Sequence, residues 1–227
     1  MQKQKMQDWP QTLDEARLIQ ERLKAQVLSK DSLGELEYVA GADVSYLPGT
    51  SRAKAAWAVL QLSDLKMVEQ ATAKASVSFP YVPGFLSFRE IPPLMQAFSR
   101  LSLRPDLIVC DGQGIAHPRR FGLACHLGVL LDIPALGAAK SKLVGDYVLP
   151  DLKRGNWNPL VWQGEDVGAV LCTKTGIKPI FVSSGHRIGL ERSMEIVLQL
   201  TGKYKLPETT RAAHALSRIR GRREIKK

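Results

Sequence analysis

The sequence predicts a mixed α/β fold, a sheet with both antiparallel and parallel strands flanked by helices. Three observations carry this. Apolar segments at 38–46, 55–63 and 67–79 follow one another across short turns, the pattern of an antiparallel meander. Two further apolar runs, 106–112 and 133–139, enclose a stretch with helical spacing, so that they return parallel and adjacent. Amphipathic stretches near both ends supply helices to cover the sheet.

Taken in order, residues 11–28 set Leu13, Leu18, Leu23, Val27 and Leu28 among charges, a helical pattern. YVAGADVSY (38–46) reads as a buried strand ending at the turn LPGTS. AAWAVLQLS (55–63) and MVEQATAKASVSF (67–79) are the next strands. A helix from about Phe88 to Leu101 follows the loop PYVPG, and Pro92 and Pro93 fit its first turn better than its interior. DLIVCDG is a short buried strand, RFGLACHLGVLLD (120–132) a helix and IPALGAA the returning strand. Residues 160–172 and 179–183 read as strands, 190–201 and 207–220 as helices. There is no internal repeat or low-complexity linker, so one domain over 1–227 is expected, with 1–10 and about 218–227 as flexible ends.

Composition narrows the function classes. With 227 residues, 44% hydrophobic and 24% charged, the chain can bury a sizeable core. No apolar run approaches the roughly 18 residues that span a membrane, and the polar N-terminus lacks a signal-peptide pattern. A cytoplasmic protein with no membrane partner and no obligate protein partner is expected. Cys110, Cys125 and Cys172 are odd in number and lie in apolar surroundings, which argues for packing and against a disulfide framework or structural zinc. The net charge of +10 favours a polyanion, nucleic acid above all. Part of that charge lies in the terminal RIRGRREIKK and part in Arg119 and Arg120, beside a glycine-rich loop.

Three carboxylates stand out. Asp43 sits among small apolar neighbours in VAGADV, where an unpaired ion costs several kcal/mol and so needs a cation, a hydrogen-bond cage or a metal. Asp111 ends an apolar strand, where sheets of this class face their ligands. Glu90 opens a helix. Each also has a plainer reading, as a strand-end cap, an Asp-Gly turn and a helix-dipole partner. Hard oxygen donors from separate segments, with no cysteine cluster, suit magnesium, with manganese able to substitute. Of the histidines, His117 lies in the loop DGQGIAHPRR and His214 on the last helix, where it either turns inward or stays on the surface. His126 reads as a satisfied core residue, and His186 has no assigned role. Lys140, just past a buried strand, either meets a phosphate or is solvated. In PYVPGFLSFRE, Pro80 and Pro83 hold Tyr81 and Val82 on a stiff tip with Gly84 behind it. This is either a wedge for a base stack or a turn that packs its tyrosine on the core.

The motifs GADVSY, PYVPGFLSFRE, PDLIVCDGQGIAHPRRFGLACHLG, IPALGAAKSKL and SSGHR together resemble the endonuclease V family over most of residues 36–215. The resemblance implies a ribonuclease H-like fold with a mixed five-stranded sheet. It implies cutting at the second phosphodiester bond 3′ to a deaminated base, chiefly deoxyinosine, leaving 3′-hydroxyl and 5′-phosphate ends. It implies Asp43, Glu90 and Asp111 as metal ligands and His214 as a further catalytic or metal-linked group. Lys140 is implied to position a phosphate, and His117 to lie beside the lesion. The resemblance makes Tyr81 a strand-separating wedge, and Gly84, Leu86, Gly112 and Gly137 backbone walls of a hypoxanthine pocket. Inosine-containing single-stranded RNA is an alternative substrate, and a non-catalytic nucleic-acid-binding module a second alternative, whose mark would be lost carboxylates.

Overall fold

The computed structural model describes residues 9–218. Its elements run α1 (Leu13–Lys24), β1 (Tyr38–Tyr46), β2 (Arg52–Gln61), β3 (Met67–Ser76), α2 (Leu86–Phe98), β4 (Leu107–Cys110), α3 (Leu123–Leu131), β5 (Ala135–Ala139), β6 (Trp157–Trp162), β7 (Glu165–Leu171), β8 (Ile180–His186), α4 (Leu190–Gln199) and α5 (Glu208–Ser217). The strands form one eight-stranded mixed sheet in the order β3-β2-β1-β4-β5-β8-β7-β6. The five-stranded unit is there as β3-β2-β1-β4-β5: the antiparallel meander, then β4 and β5 joined in parallel through α3. The antiparallel strands β8, β7 and β6 extend it. The expected flexible ends fall mostly outside the described residues, as does nearly all of the terminal basic stretch.

Alternation along the central strands sets up two cores. On β1, Ala40 and Ala42 join Trp57, Ile91, Leu94, Cys110 and Leu127 on the side of α2 and α3. Val39 faces the other way, with Ala58, Leu60, Val182, Ile196 and Ala213 under α4 and α5. Each fully buried leucine, isoleucine or phenylalanine contributes roughly 2 kcal/mol. The three cysteines are free and buried, as packing residues would be.

Local chemistry explains the ends. Thr12 and Glu15 cap α1 reciprocally, which fixes its start two residues later than the periodicity alone suggests. The run 160–172 is not one strand. Gln163 and Gly164 have φ of +56° and +78°, the two left-handed residues of a tight hairpin turn, and β6 folds back on β7 there.

Pro92 and Pro93 do not fall in the first turn of the helix. They lie inside α2, which starts at Leu86 rather than Phe88, so Glu90 stands one turn in instead of opening the helix. A proline at 92 has no N–H for the carbonyl of Phe88 four residues back. That carbonyl accepts from Trp9 Nε1 at 2.8 Å instead. The Phe88 carbonyl therefore keeps a donor despite the interior proline.

Candidate active site

The site forms where β1 and β4 run parallel. Their register ends with Ala42 opposite Cys110, so the next residues, Asp43 and Asp111, are neighbours about 5 Å apart in backbone. Glu90 comes to the same place from α2. Its carboxyl is held well above the usual carboxylate range, first by burial, then by the charges of Asp43 and Asp111. Burial also raises the Tyr46 hydroxyl and the Cys110 thiol, helped by Glu90 in both cases, by Asp43 at Tyr46 and by Asp111 at Cys110. One negative field thus reaches three side chains from three segments.

If the two carboxylates lie as close as their backbones, about 5 Å, they repel by roughly 3 kcal/mol at an effective dielectric near 20. The fold offsets this with donors. Lys140, just beyond β5, places Nζ 2.7 Å from Asp111 Oδ2. On α5, His214 Nδ1 lies 3.3 Å from Asp43 Oδ2, and the Ser217 hydroxyl donates to the same oxygen. Ser217 also bonds to Ser45. Among the described residues, no three histidine, cysteine or acidic side chains close around one point as a finished metal cage.

α5 reaches Asp43 because of Gly41. A methyl group there would stand 2.1 Å from the Thr209 carbonyl oxygen, so only glycine lets the helix backbone lie on the strand. Gly137 acts likewise: a methyl group would come within 2.4 Å of the Gly112 carbonyl oxygen. It seats the loop after β4 on β5 and does not line the adjoining pocket.

That pocket has a volume of about 280 Å³. Tyr81, Pro83, Gly84 and Leu86 form one wall, Gly112, Gln113 and His117 another, and Asp111 and Lys140 the side toward the carboxylates. Tyr81 is 69% exposed, so it projects and does not pack on the core. Val82 behind it packs with Phe79, Phe85 and Phe88, while Pro80 is exposed and outside the pocket wall. Gly84 has φ of +81°, and its carbonyl accepts from Gln20 Nε2 at 3.0 Å, His117 Nε2 at 2.9 Å and an Arg119 nitrogen at 2.6 Å. Three donors on one oxygen pin the base of the tip.

His117 Nδ1 accepts from the Arg119 N–H at 3.1 Å, so the ring is neutral, with its proton on Nε2. Burial, then Arg119, pushes its pKa down to about 4. His126, beneath Trp9 and Phe88 and bonded through Nδ1 to Ser87 at 3.0 Å, is pushed by burial to about 3. It is a core residue as expected, but only half satisfied, since its Nε2 has no hydrogen-bond partner among the described residues. His186 lies away from the site, on Leu28 and Asp132.

These two histidines predict acid sensitivity. Unfolded, both take a proton near pH 6.5. Their contribution is fully present above that pH and is lost as pH falls toward 4 and 3, because there the unfolded chain binds more protons. Glu90, with its raised carboxyl, works in the opposite sense, so the measurement belongs on Glu90→Gln. Urea unfolding of that variant should show stability lower at pH 5 than at pH 7 by on the order of 2–4 kcal/mol. A flat profile would contradict the buried neutral rings.

Ser217, Gln20 and Gln113 carry no sequence expectation, while Arg119, read only as charge beside the glycine-rich loop, holds the Gly84 carbonyl. Ser217 had a usable signal, three residues after His214 on the same helical face. For Gln20 the sequence offers only a polar residue on an amphipathic helix.

A family model described as Endonuclease V matches residues 21–215. The chain belongs to the endonuclease V family. It is 52% identical to the endonuclease V of Trichormus variabilis over 92% of this chain and 95% of the relative. The crystal structure of endonuclease V from Streptomyces avermitilis superposes with a TM-score of 0.88 at 46% identity, covering 92% of each chain. That of Ciona intestinalis endonuclease V, in complex with a 23mer DNA containing an inosine followed by a ribo-adenosine, gives 0.81 at 32% identity. It covers 90% of this chain and 95% of that one. As an endonuclease V the chain is a nuclease, and its fold is ribonuclease H-like. No helix among the described residues is long and apolar enough to cross a membrane.

Proposed function

We propose that this endonuclease V acts in DNA repair in the cytoplasm, recognises a deaminated base, chiefly deoxyinosine, and hydrolyses the second phosphodiester bond 3′ to it. The products carry 3′-hydroxyl and 5′-phosphate ends. The observation that carries this is the pocket beneath the exposed Tyr81, which opens directly onto Asp111 and Lys140. The Ciona relative's inosine-bearing DNA supports the same reading.

The donor set fits a hard divalent cation: three carboxylates in one field, with oxygen donors only. Asp43, Glu90 and Asp111 would hold magnesium, with manganese as a substitute. When bound, the ion supplies an activated water and neutralises the leaving oxygen. Lys140 then holds the phosphate, and His214 and Ser217 fix the orientation of Asp43. Tyr81 enters the base stack. Gly84, Leu86 and Gly112 present backbone groups to hypoxanthine, whose O6 accepts and N1–H donates, unlike adenine. His117 has both ring nitrogens engaged, so its part is to hold the Gly84 carbonyl in place.

An end-labelled duplex with one deoxyinosine, assayed with and without magnesium, tests activity, lesion choice and cut position together. A metal-dependent cut at the second bond is expected, and equal cutting of an inosine-free duplex sinks the reading. For the wedge, Tyr81→Ala should leave thermal stability almost unchanged, because the ring is exposed, but lower the preference for inosine roughly tenfold or more. Undiminished discrimination would remove Tyr81 from the mechanism.

A second reading has its own support. The Ciona complex places a ribonucleotide next to inosine, so cleavage of inosine in RNA is the alternative. Matched DNA and RNA strands separate the two through the 2′-hydroxyl. The non-catalytic module is disfavoured by the presence of all three carboxylates.

A further inference from the structure

A second cavity, of about 830 Å³, lies between the outer meander strands and the end of α5. Arg52, Lys54, Lys74 and Arg218 line it together with Leu47 and Leu216, and among the described residues no acidic side chain lines it. Among the described residues none of these four cations takes part in an ion pair. Lys54 and Lys74 stand directly opposite each other on β2 and β3. Like charges across a strand pair destabilise a sheet, so this arrangement is costly without an anion. Lys54 meets one partial negative charge, donating to the Leu216 carbonyl at the C-terminal end of α5. Arg52 and Lys74 are exposed.

The groove lies close to the active site along the sheet. Lys54 pairs in register with Ser45, two residues along β1 from Asp43, and Ser45 is bonded to the same Ser217 that holds Asp43. Two strand residues measure about 7 Å, so the rows of Lys54 and Arg52 lie roughly 7 and 14 Å from that of Asp43. At about 3.4 Å per nucleotide, this is about two to four nucleotides from the cut.

We propose that this groove is a binding track for the sugar–phosphate backbone on one side of the cleavage point. This rests on the nuclease reading above. Backbone contacts of this kind position the substrate and carry no sequence information. They act on KM rather than on the chemical step.

The test is the double variant Arg52→Gln/Lys74→Gln on inosine duplexes that are long on both sides, or trimmed to about two base pairs beyond the cut on one side or the other. On the long duplex kcat/KM should fall about tenfold at 0.1 M salt, with kcat within twofold of wild type. The log–log salt dependence should become shallower by about 2. Trimming one of the two flanks should erase the difference between variant and wild type, and trimming the other should not. An unchanged salt slope and kcat/KM on the long duplex overturn the proposal, and so does a loss that persists whichever flank is trimmed. If the wild-type chain cuts no inosine duplex at all, the nuclease reading fails and this proposal falls with it. Cutting with no variant effect sinks the groove alone.

Discussion

Cleavage falls by at least about a thousandfold when Asp43 or Asp111 is replaced by alanine. Affinity for an inosine duplex is expected to stay within a few-fold. The two residues occupy adjacent ends of parallel strands, and Glu90 senses both of their charges. An ion held by these residues would stabilise the developing charge by several kcal/mol, and each 1.36 kcal/mol is a factor of ten in rate. Binding relies instead on the pocket and on phosphate contacts, most of which neither carboxylate makes. Asp111→Ala also releases Lys140, which now lies 2.7 Å from Asp111, so its binding to phosphate strengthens if anything. Single-turnover cleavage at saturating enzyme, alongside anisotropy with labelled duplex, separates the two effects. Undiminished cutting by either variant in magnesium would refute the carboxylate assignment.

Gly41→Ala is expected to be strongly damaging although it adds only one carbon. The new methyl group meets the Thr209 backbone at 2.1 Å, and backbone cannot rotate away as a side chain can. Either α5 lifts from β1 or the sheet distorts, at a cost of roughly 3 kcal/mol or more. Since α5 carries His214 and Ser217, the surviving folded fraction should also lose the donors that hold Asp43. Gly34→Ala is the control: open space surrounds that position, and stability should move by no more than about 0.5 kcal/mol. Urea unfolding of both variants decides the matter, and equal stability would mean that the helix is not seated as described.

Much of this architecture is legible in residue patterns because it is local. Apolar runs separated by short turns, LPGTS among them, mark the meander, and the helix-linked pair of strands had to be parallel whatever their surroundings. The errors also have local causes. A Gln-Gly turn looks like part of a strand until its left-handed backbone is seen, because glutamine is an uncommon residue there. Pro92 looks like a helix start until Trp9, far away in sequence, is found to satisfy the carbonyl it leaves free.

Residue types at fixed spacings determined the chemistry on offer: three carboxylates in apolar settings, a lysine past a strand, a proline-braced tyrosine, an excess of positive charge. The family resemblance was carried by the same segments. Only the tertiary structure decided which of these groups meet. The parallel register of β1 and β4 sets Asp43 beside Asp111, and the close approach allowed at Gly41 delivers His214 and Ser217. Two like charges on neighbouring strands became a groove only when α5 closed its side. Proximity between distant segments depends on register and on backbone clearance, and neither is written in the order of residues along the chain.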